Sequence, residues 1–293
     1  APEWLCKMWS ESYETENAEK ILEASFGPVD VSLRVNTTKT TAEKLCSILS
    51  DEGFECEING IVDGALTVKN GGAVHKTNAY SDGLFHVQDI ASQLCCKALG
   101  ANENETVIDI CAAPGGKSFT IAEAMNNSGN VISCDIYKHR LKLIEDGAKR
   151  LGLSKIKAVE NDGSAFNSEL PLADKILCDV PCSGLGVIRK KPEIRFKKSD
   201  EVDKLSDLQY SILCISSRYL KIGGKLVYST CSLNPEENEN VIKRFLAEHD
   251  DFRSVRVLPE VKRYADDTDY LTLMPHIHGS DGFFISCVER VHN

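Results

Sequence analysis

The 293-residue sequence has no apolar run approaching the roughly 18 residues needed to span a bilayer, and no basic-then-apolar segment opens it, so neither membrane insertion nor secretion is expected. It also lacks internal repeats and low-complexity tracts. With 42% hydrophobic and 27% charged residues it has core material for one large or two smaller domains, which argues against disorder. None of its 12 cysteines forms a CxxC pair. Their scatter among apolar neighbours reads as reduced thiols of a cytoplasmic protein, not as a disulfide framework or a zinc site. Positive charge is in short supply: 34 Lys and Arg against 44 Asp and Glu leave a net −10, which argues against indiscriminate nucleic-acid binding while leaving room for a local basic face. The first residue is Ala1, not Met, which suggests a processed or cut chain.

What is present falls into two rhythms. Residues 14–25 and 41–51 read as helices, the second with Ala42, Leu45, Cys46 and Leu49 on one face, and residues 31–35 and 54–58 read as strands. These make a small α+β module over residues 1–77, bounded by the stretch around Asn70, Gly71 and Gly72. A helix is expected over 88–99. Beyond it, short apolar runs at 106–110, 131–134, 156–159, 175–178 and 225–228 alternate with segments long enough for crossover helices, the pattern of a parallel sheet covered on both faces. Two last strands, 252–257 and 282–289, have no helix between them and should add an antiparallel hairpin at the edge of this second unit, residues 78–293.

The first run ends at Asp109 and leads into Cys111-Ala112-Ala113-Pro114-Gly115-Gly116-Lys117-Ser118, a Gly-rich turn of the kind that brings backbone and helix N–H groups against a ligand. Two nucleotide signatures fail here. A P-loop would need its first glycine where Cys111 stands, and the dinucleotide pattern has only the pair Gly115-Gly116. Asp135 closes the second run, where an acidic side chain can hold ribose hydroxyls; Asp162 follows the third, and Asp179 closes the fourth. An acidic crevice suits a nucleoside cofactor without phosphates, such as the sulfonium S-adenosylmethionine.

Cys182 and Cys231 each follow a predicted core strand and would open on the same crevice. Methylation of cytosine at carbon 5 would use such thiols, because a thiolate added to carbon 6 turns carbon 5 into a nucleophile, and a second thiol could assist release. Asp179 could bond the pyrimidine, and Lys117 could orient that carboxylate or lower a thiol pKa. Position alone does not say which cysteine attacks.

The segments Asp109-Ile110-Cys111-Ala112-Ala113-Pro114-Gly115-Gly116-Lys117, Asp179-Val180-Pro181-Cys182-Ser183-Gly184 and Tyr228-Ser229-Thr230-Cys231-Ser232 resemble the signature motifs of the NOL1/NOP2/Sun family of RNA 5-methylcytosine methyltransferases. Ile110 and Val180 stand where alanines are more usual. The stretch Gly184-Leu185-Gly186-Val187-Ile188-Arg189 with Lys191-Pro192-Glu193-Ile194 resembles the bacterial 16S ribosomal RNA branch most. The resemblance implies a class I S-adenosylmethionine-dependent methyltransferase fold, α/β and Rossmann-like, with a mostly parallel seven-stranded sheet and a small α+β N-terminal subdomain for RNA recognition. It also implies Cys231 as nucleophile, Cys182 as the thiol assisting release, the loop Cys111 to Lys117 as the methionine-binding segment, Asp135 as the ribose contact and Asp162 as the adenine-side contact. Asp179 would lie between cofactor and cytosine, and Arg140 matches a family arginine. Alternatives are a tRNA methyltransferase of the same family and a non-catalytic RNA-binding assembly factor. The ribosomal branch usually carries a further helical domain resembling the NusB antitermination factor, so its absence ahead of Pro2 is expected to weaken substrate affinity.

Residues 189–198 carry Arg189, Lys190, Lys191, Arg195, Lys197 and Lys198 against Glu193, a local +5 suited to holding 16S rRNA near Cys182. Arg34 and Asn36 resemble part of the family's N-terminal RNA-recognition segment. Phe85, Phe196 and Phe283 are candidate stacking partners for a base, with core packing the favoured expectation for each. His276 and His278 lack the further ligands a metal needs, and no metal or membrane partner is expected. A monomer is favoured.

Overall fold

Val31–Val35 (β1), Glu55–Ile58 (β2), Ala65–Lys69 (β3) and Phe85–Val87 (β4) pair antiparallel in the order β2-β3-β1-β4. The structure is a computed structural model and describes residues 1–26, 30–69, 72–259, 261 and 269–292. Asn70 and Gly71, expected at a boundary, lie outside the described residues. One face of this sheet is apolar because Leu33, Val35, Leu66 and Val68 fall on it, and the helix Ala42–Asp51 covers them with Leu45 and Leu49. That helix starts where Thr41 accepts the Lys44 N–H at its hydroxyl, a side-chain N-cap. β4 lies beyond residue 77, so the small sheet takes its last strand from the second stretch of chain.

The second sheet contains Thr106–Asp109 (β5), Asn130–Asp135 (β6), Ile156–Glu160 (β7), Ala173–Asp179 (β8), Leu220–Thr230 (β9), Phe252–Val255 (β10), Tyr270–Leu273 (β11) and Phe283–Arg290 (β12). Its order is β10-β12-β9-β8-β5-β6-β7, with β11 also on β12. Strands β5 to β9 run parallel. Successive residues point to opposite faces, and in the central strands both faces are buried, which is why their runs are mostly apolar, whereas the edge strand β7 is only partly buried. Val107, Val131, Leu177 and Val227 pack on one side, and Ile108, Ile132, Ile176 and Leu226 on the other. This is the class I methyltransferase arrangement expected above. The end of the chain differs from a simple edge hairpin. β12 lies antiparallel between β9 and β10, and both β11 and the one-turn helix Pro275–His278 intervene where no helix is expected.

The first two helices, Glu3–Tyr13 and Thr15–Ala24, do not join the small sheet. Leu5, Trp9, Ala18 and Ile21 bury themselves against Leu185, Ile188, Ile194 and Leu233, on the loops after β8 and β9, and the Trp9 indole donates to the Leu233 carbonyl at 3.0 Å. The two sheets are joined elsewhere by Arg34 and Asn36. Arg34 pairs with Glu123 at 3.0 Å and donates to the Asp63 carbonyl, while the Asn36 amide donates to the Gly83 and Leu151 carbonyls. Both side chains are buried. The expectation that they meet RNA is therefore corrected: they hold the sheets together. Among the described residues no helix is long and apolar enough to cross a membrane.

Candidate active site

From β5 the chain moves outward through β6 and β7, then returns to the other side of β5 as β8 and β9. The crevice at the carboxyl ends of β5 and β8 is thus a topological switch point, where open α/β sheets bind ligands. The turn after β5 needs its glycine: Gly115 has φ +109°, and a Cβ there would meet the Phe119 ring at 2.5 Å. The helix Gly116–Ala124 then starts at the crevice with its N–H groups facing it.

Three of the four strand-end aspartates converge. Asp109 is 1% exposed; one oxygen accepts the Ser118 hydroxyl at 2.7 Å, the other has no partner, and burial pushes its pKa up to about 7. Asp135 is buried, accepts the Tyr137 N–H, and pairs at 3.1 Å with Arg140, which also donates to the Ala113 carbonyl at 2.6 Å. Arg140 is thereby a brace between the Gly-rich loop and the end of β6, not a free surface charge. Asp179 is gripped at both oxygens, by Lys117 at 2.7 Å and by the Ser229 hydroxyl at 2.7 Å. Burial pulls the Lys117 pKa down, but Asp179 beside it more than reverses this, so the ammonium stays charged. Asp162 is exposed and lines neither cavity described next. It accepts both the hydroxyl and the N–H of Ser164, which hold its carboxyl below the usual range.

Two cavities meet at Cys111, Ala113 and Asp179. The smaller, about 230 Å³, is lined by Gln88, Asp109, Pro114, Gly116 and Lys117. The larger, about 510 Å³, is lined by Arg140, Cys182, Lys191, Lys197 and Cys231. In it the Cys182 and Cys231 sulfurs stand 3.1 Å apart as free thiols. The two are not equivalent. The hydrogen bond from Cys182 lowers the Cys231 pKa against the opposing effects of burial and Asp179, with help from Lys117 and Lys191. The same bond, burial and the negative charges nearby push Cys182 well above the usual thiol range. Of the two, Cys231 is therefore the thiol that loses its proton more readily.

Residues 96–289 match the family described as 16S rRNA methyltransferase RsmB/F, and residues 1–75 match the ferredoxin-like domain of RsmF/B-like methyltransferases. The chain belongs to the RsmB/F family. It is 41% identical over 298 residues to a probable ribosomal RNA small subunit methyltransferase B of Bacillus subtilis, covering 99% of this chain and 66% of that protein. The chain thus spans just under two thirds of that relative's length. A solved methyltransferase homologue from Pyrococcus horikoshii is 26% identical with TM-score 0.82, over 99% of this chain and 100% of that one. NSun6 from the same organism, solved with SFG, shares the fold at TM-score 0.90 and 23% identity, over 100% of this chain and 99% of that one.

In this RsmB/F chain the basic segment has divided duties. Lys190, also exposed, is held by Asp89 at 2.6 Å and Asp281 at 2.8 Å. Lys197 donates to the Ser183 carbonyl at 2.7 Å while lining the thiol cavity. Lys191 lines the same cavity and is exposed, and Arg189 and Lys198 are exposed further along the segment. Phe85 and Phe283 are buried, but Phe196 is 80% exposed, which overturns its expected place in the core. The loops after β8 and β9 touch directly: Gly186 N–H donates to the Cys231 carbonyl at 3.0 Å, and a Cβ on Gly186 would collide with the Gly282 backbone. Among the described residues no group of three His, Cys, Asp or Glu could hold a metal ion. Sequence reasoning missed Gln88, whose buried amide nitrogen is unpartnered at the smaller cavity, and Glu237, buried beneath both thiol loops. Gln88 follows a three-residue strand and leaves no pattern in the sequence. Glu237 does carry a signal, the acidic run Glu236-Glu237-Asn238-Glu239 that begins five residues after Cys231.

Proposed function

We propose that the chain transfers a methyl group from S-adenosylmethionine to carbon 5 of a cytosine in 16S rRNA, with Cys231 as nucleophile and Cys182 assisting release. The 3.1 Å thiol pair facing the Lys117–Asp179 ion pair across one crevice carries this reading. The smaller cavity fits the cofactor's polar end, since it offers an unpartnered acceptor on Asp109 and an unpartnered donor on Gln88. The loop Cys111 to Lys117, Asp135 with its brace Arg140, and Asp162 would hold the rest. S-adenosylmethionine supplies a methyl carbon activated by its sulfonium.

The remaining chemistry falls to the chain. The Cys231 thiolate forms a bond to carbon 6, and the ring electrons it displaces make carbon 5 nucleophilic. A lone pair on Asp179 can accept a hydrogen of the exocyclic amino group, and a proton taken up from solvent by its other oxygen can be donated to the ring nitrogen, where negative charge develops. After carbon 5 is methylated, solvent water takes its proton, the electrons of that bond reform the ring double bond, and the carbon–sulfur bond breaks with its electron pair returning to the Cys231 sulfur. Cys182 is within reach of the departing sulfur. Residues 1–77 are assigned to RNA recognition and 78–293 to catalysis, in a cytoplasm reducing enough to keep both thiols free.

Labelled S-adenosylmethionine offered with 16S rRNA fragments and with tRNA tests the reading. Label should appear in the 16S fragments, and bisulfite mapping should put it at a cytosine; label elsewhere on the base, or in tRNA alone, would overturn it. The rate should also depend on pH in a defined direction. It needs the thiolate, so it falls as pH drops through the Cys231 pKa, below the usual 9.0, and Lys191→Gln should move that acid limb upward. Single-turnover rates between about pH 6 and 10 read this directly; a limb at or above 9.0, or one that Lys191→Gln leaves in place, counts against Cys231 as thiolate.

The strand is proposed to run from the thiol cavity along Lys191, Lys197 and Lys198, with Phe196 offering a ring for a neighbouring base. Lys191→Glu with Lys198→Glu should weaken RNA binding and flatten the slope of log K against log salt by about 0.7 per lysine removed. An unchanged slope in a binding titration would remove this path.

A further inference from the structure

Glu237 closes the turn Pro235–Glu237 just after the Cys231 loop and is 0% exposed. One of its oxygens accepts the Ser183 N–H at 2.7 Å and the Gln209 amide at 2.9 Å. The other accepts the Ser183 hydroxyl at 2.5 Å, the Ser232 hydroxyl at 2.8 Å and the Asn234 amide at 3.3 Å. Among the described residues no cation pairs with it. Five donors surround it where a counter-ion would otherwise stand. Ser183 directly follows Cys182 and Ser232 directly follows Cys231, and their hydroxyls meet at 2.8 Å. One carboxylate therefore grips the neighbours of both thiols, on loops that are otherwise 49 residues apart in sequence.

We propose that Glu237 is the positioning residue that fixes the spacing of the two thiols and decides which of them carries the negative charge. The proposal rests on the reading of Cys231 as nucleophile but is testable without RNA or cofactor. All five partners present hydrogens, so only an acceptor-only group satisfies them. A glutamine would turn an amide NH₂ toward at least two donors and leave buried groups unpaired. Glu237 is also among the negative charges that push Cys182 upward, whereas it is not among the main influences on Cys231. Without that charge Cys182 gives up its proton more readily, and with slack in the loops it donates less well to Cys231. Both changes move thiolate character from Cys231 to Cys182.

The test is alkylation of the reduced protein by iodoacetamide, with each cysteine read by peptide mass spectrometry. Wild type should label at Cys231 in preference to Cys182 at neutral pH. Glu237→Gln should lower the Cys231-to-Cys182 labelling ratio by about tenfold, the effect of one pKa unit on a thiolate fraction. Because Glu237→Gln risks misfolding, Ser232→Ala is the second variant; it removes one hydroxyl from the clamp, keeps the charge, and should lower the ratio in the same direction by less. Circular dichroism and a thermal melt establish that each variant is folded. A ratio unchanged in the folded variants overturns the proposal. If the ratio moves as expected while wild type fails to methylate cytosine, the positioning role stands and the assigned reaction falls.

Discussion

Cys231→Ala is expected to lower methyl transfer by on the order of 10⁴-fold or more, the scale of losing a covalent nucleophile, and to leave no RNA adduct that survives a denaturing gel. Cys182→Ala should behave oppositely on the gel. It removes the hydrogen bond that lowers the Cys231 pKa, so addition to carbon 6 slows near neutral pH, but the adduct that forms lacks the group placed beside the departing sulfur and accumulates. The pair of variants thus separates attack from release, which a rate measurement on either alone does not. An adduct with Cys231→Ala and none with Cys182→Ala would reverse the assignment. Adduct with neither would remove covalent catalysis altogether.

Asp179→Asn carries the second large effect. Asp179 faces both cavities, and its two oxygens are taken by Lys117 and Ser229, so an asparagine must turn its NH₂ toward one of these donors. Methyl transfer should fall by about 10²- to 10³-fold, typical for loss of one preorganised electrostatic contact. The variant also strands the Lys117 ammonium, mostly buried, without its partner, and breaking such a pair costs about 3–5 kcal/mol of stability. Adding Lys117→Met to Asp179→Asn should restore part of the melting temperature and none of the activity. Single-turnover rates and thermal melts on the three proteins check both halves. Activity within tenfold of wild type in Asp179→Asn would show that the carboxylate does not meet the reacting ring.

Much of this was legible because the central parallel strands are buried on both faces. Each of β5 to β9 contains a short apolar run, and each ligand-facing loop begins where the run stops, so Asp109, Asp179, Cys182 and Cys231 could be located by counting. The runs understate the strands: β9 begins at Leu220, but Lys221, Gly223, Gly224 and Lys225 hide its first half. β4 is too short to show a period, and β11 is four residues long. The first helix did carry a signal in Trp4, Leu5, Met8 and Trp9, spaced for one helical face, yet nothing local says that its partner is a loop near residue 188. Charge misled in a similar way. Arg34 looks like an RNA contact in one dimension, and only the fold brings Glu123 to it and buries both. Phe196 misled in reverse, an aromatic residue whose neighbours leave it in water.

The Trp9 contact with Leu233 joins residues 224 apart, and the helices around it cover the loops that carry both thiols. Contacts of such sequence separation form late in folding, because the intervening chain must first be closed into a loop. On a ribosome, the helical pair emerges long before the loops it will cover and must wait for them. The two thiols stand 49 residues apart in sequence, so Cys182 too must wait, until Cys231 has been made and the loops can meet. The thiol pair is thus a product of tertiary structure: it cannot exist until the chain extends past Cys231, and the helices made first wait longest for the loops they cover.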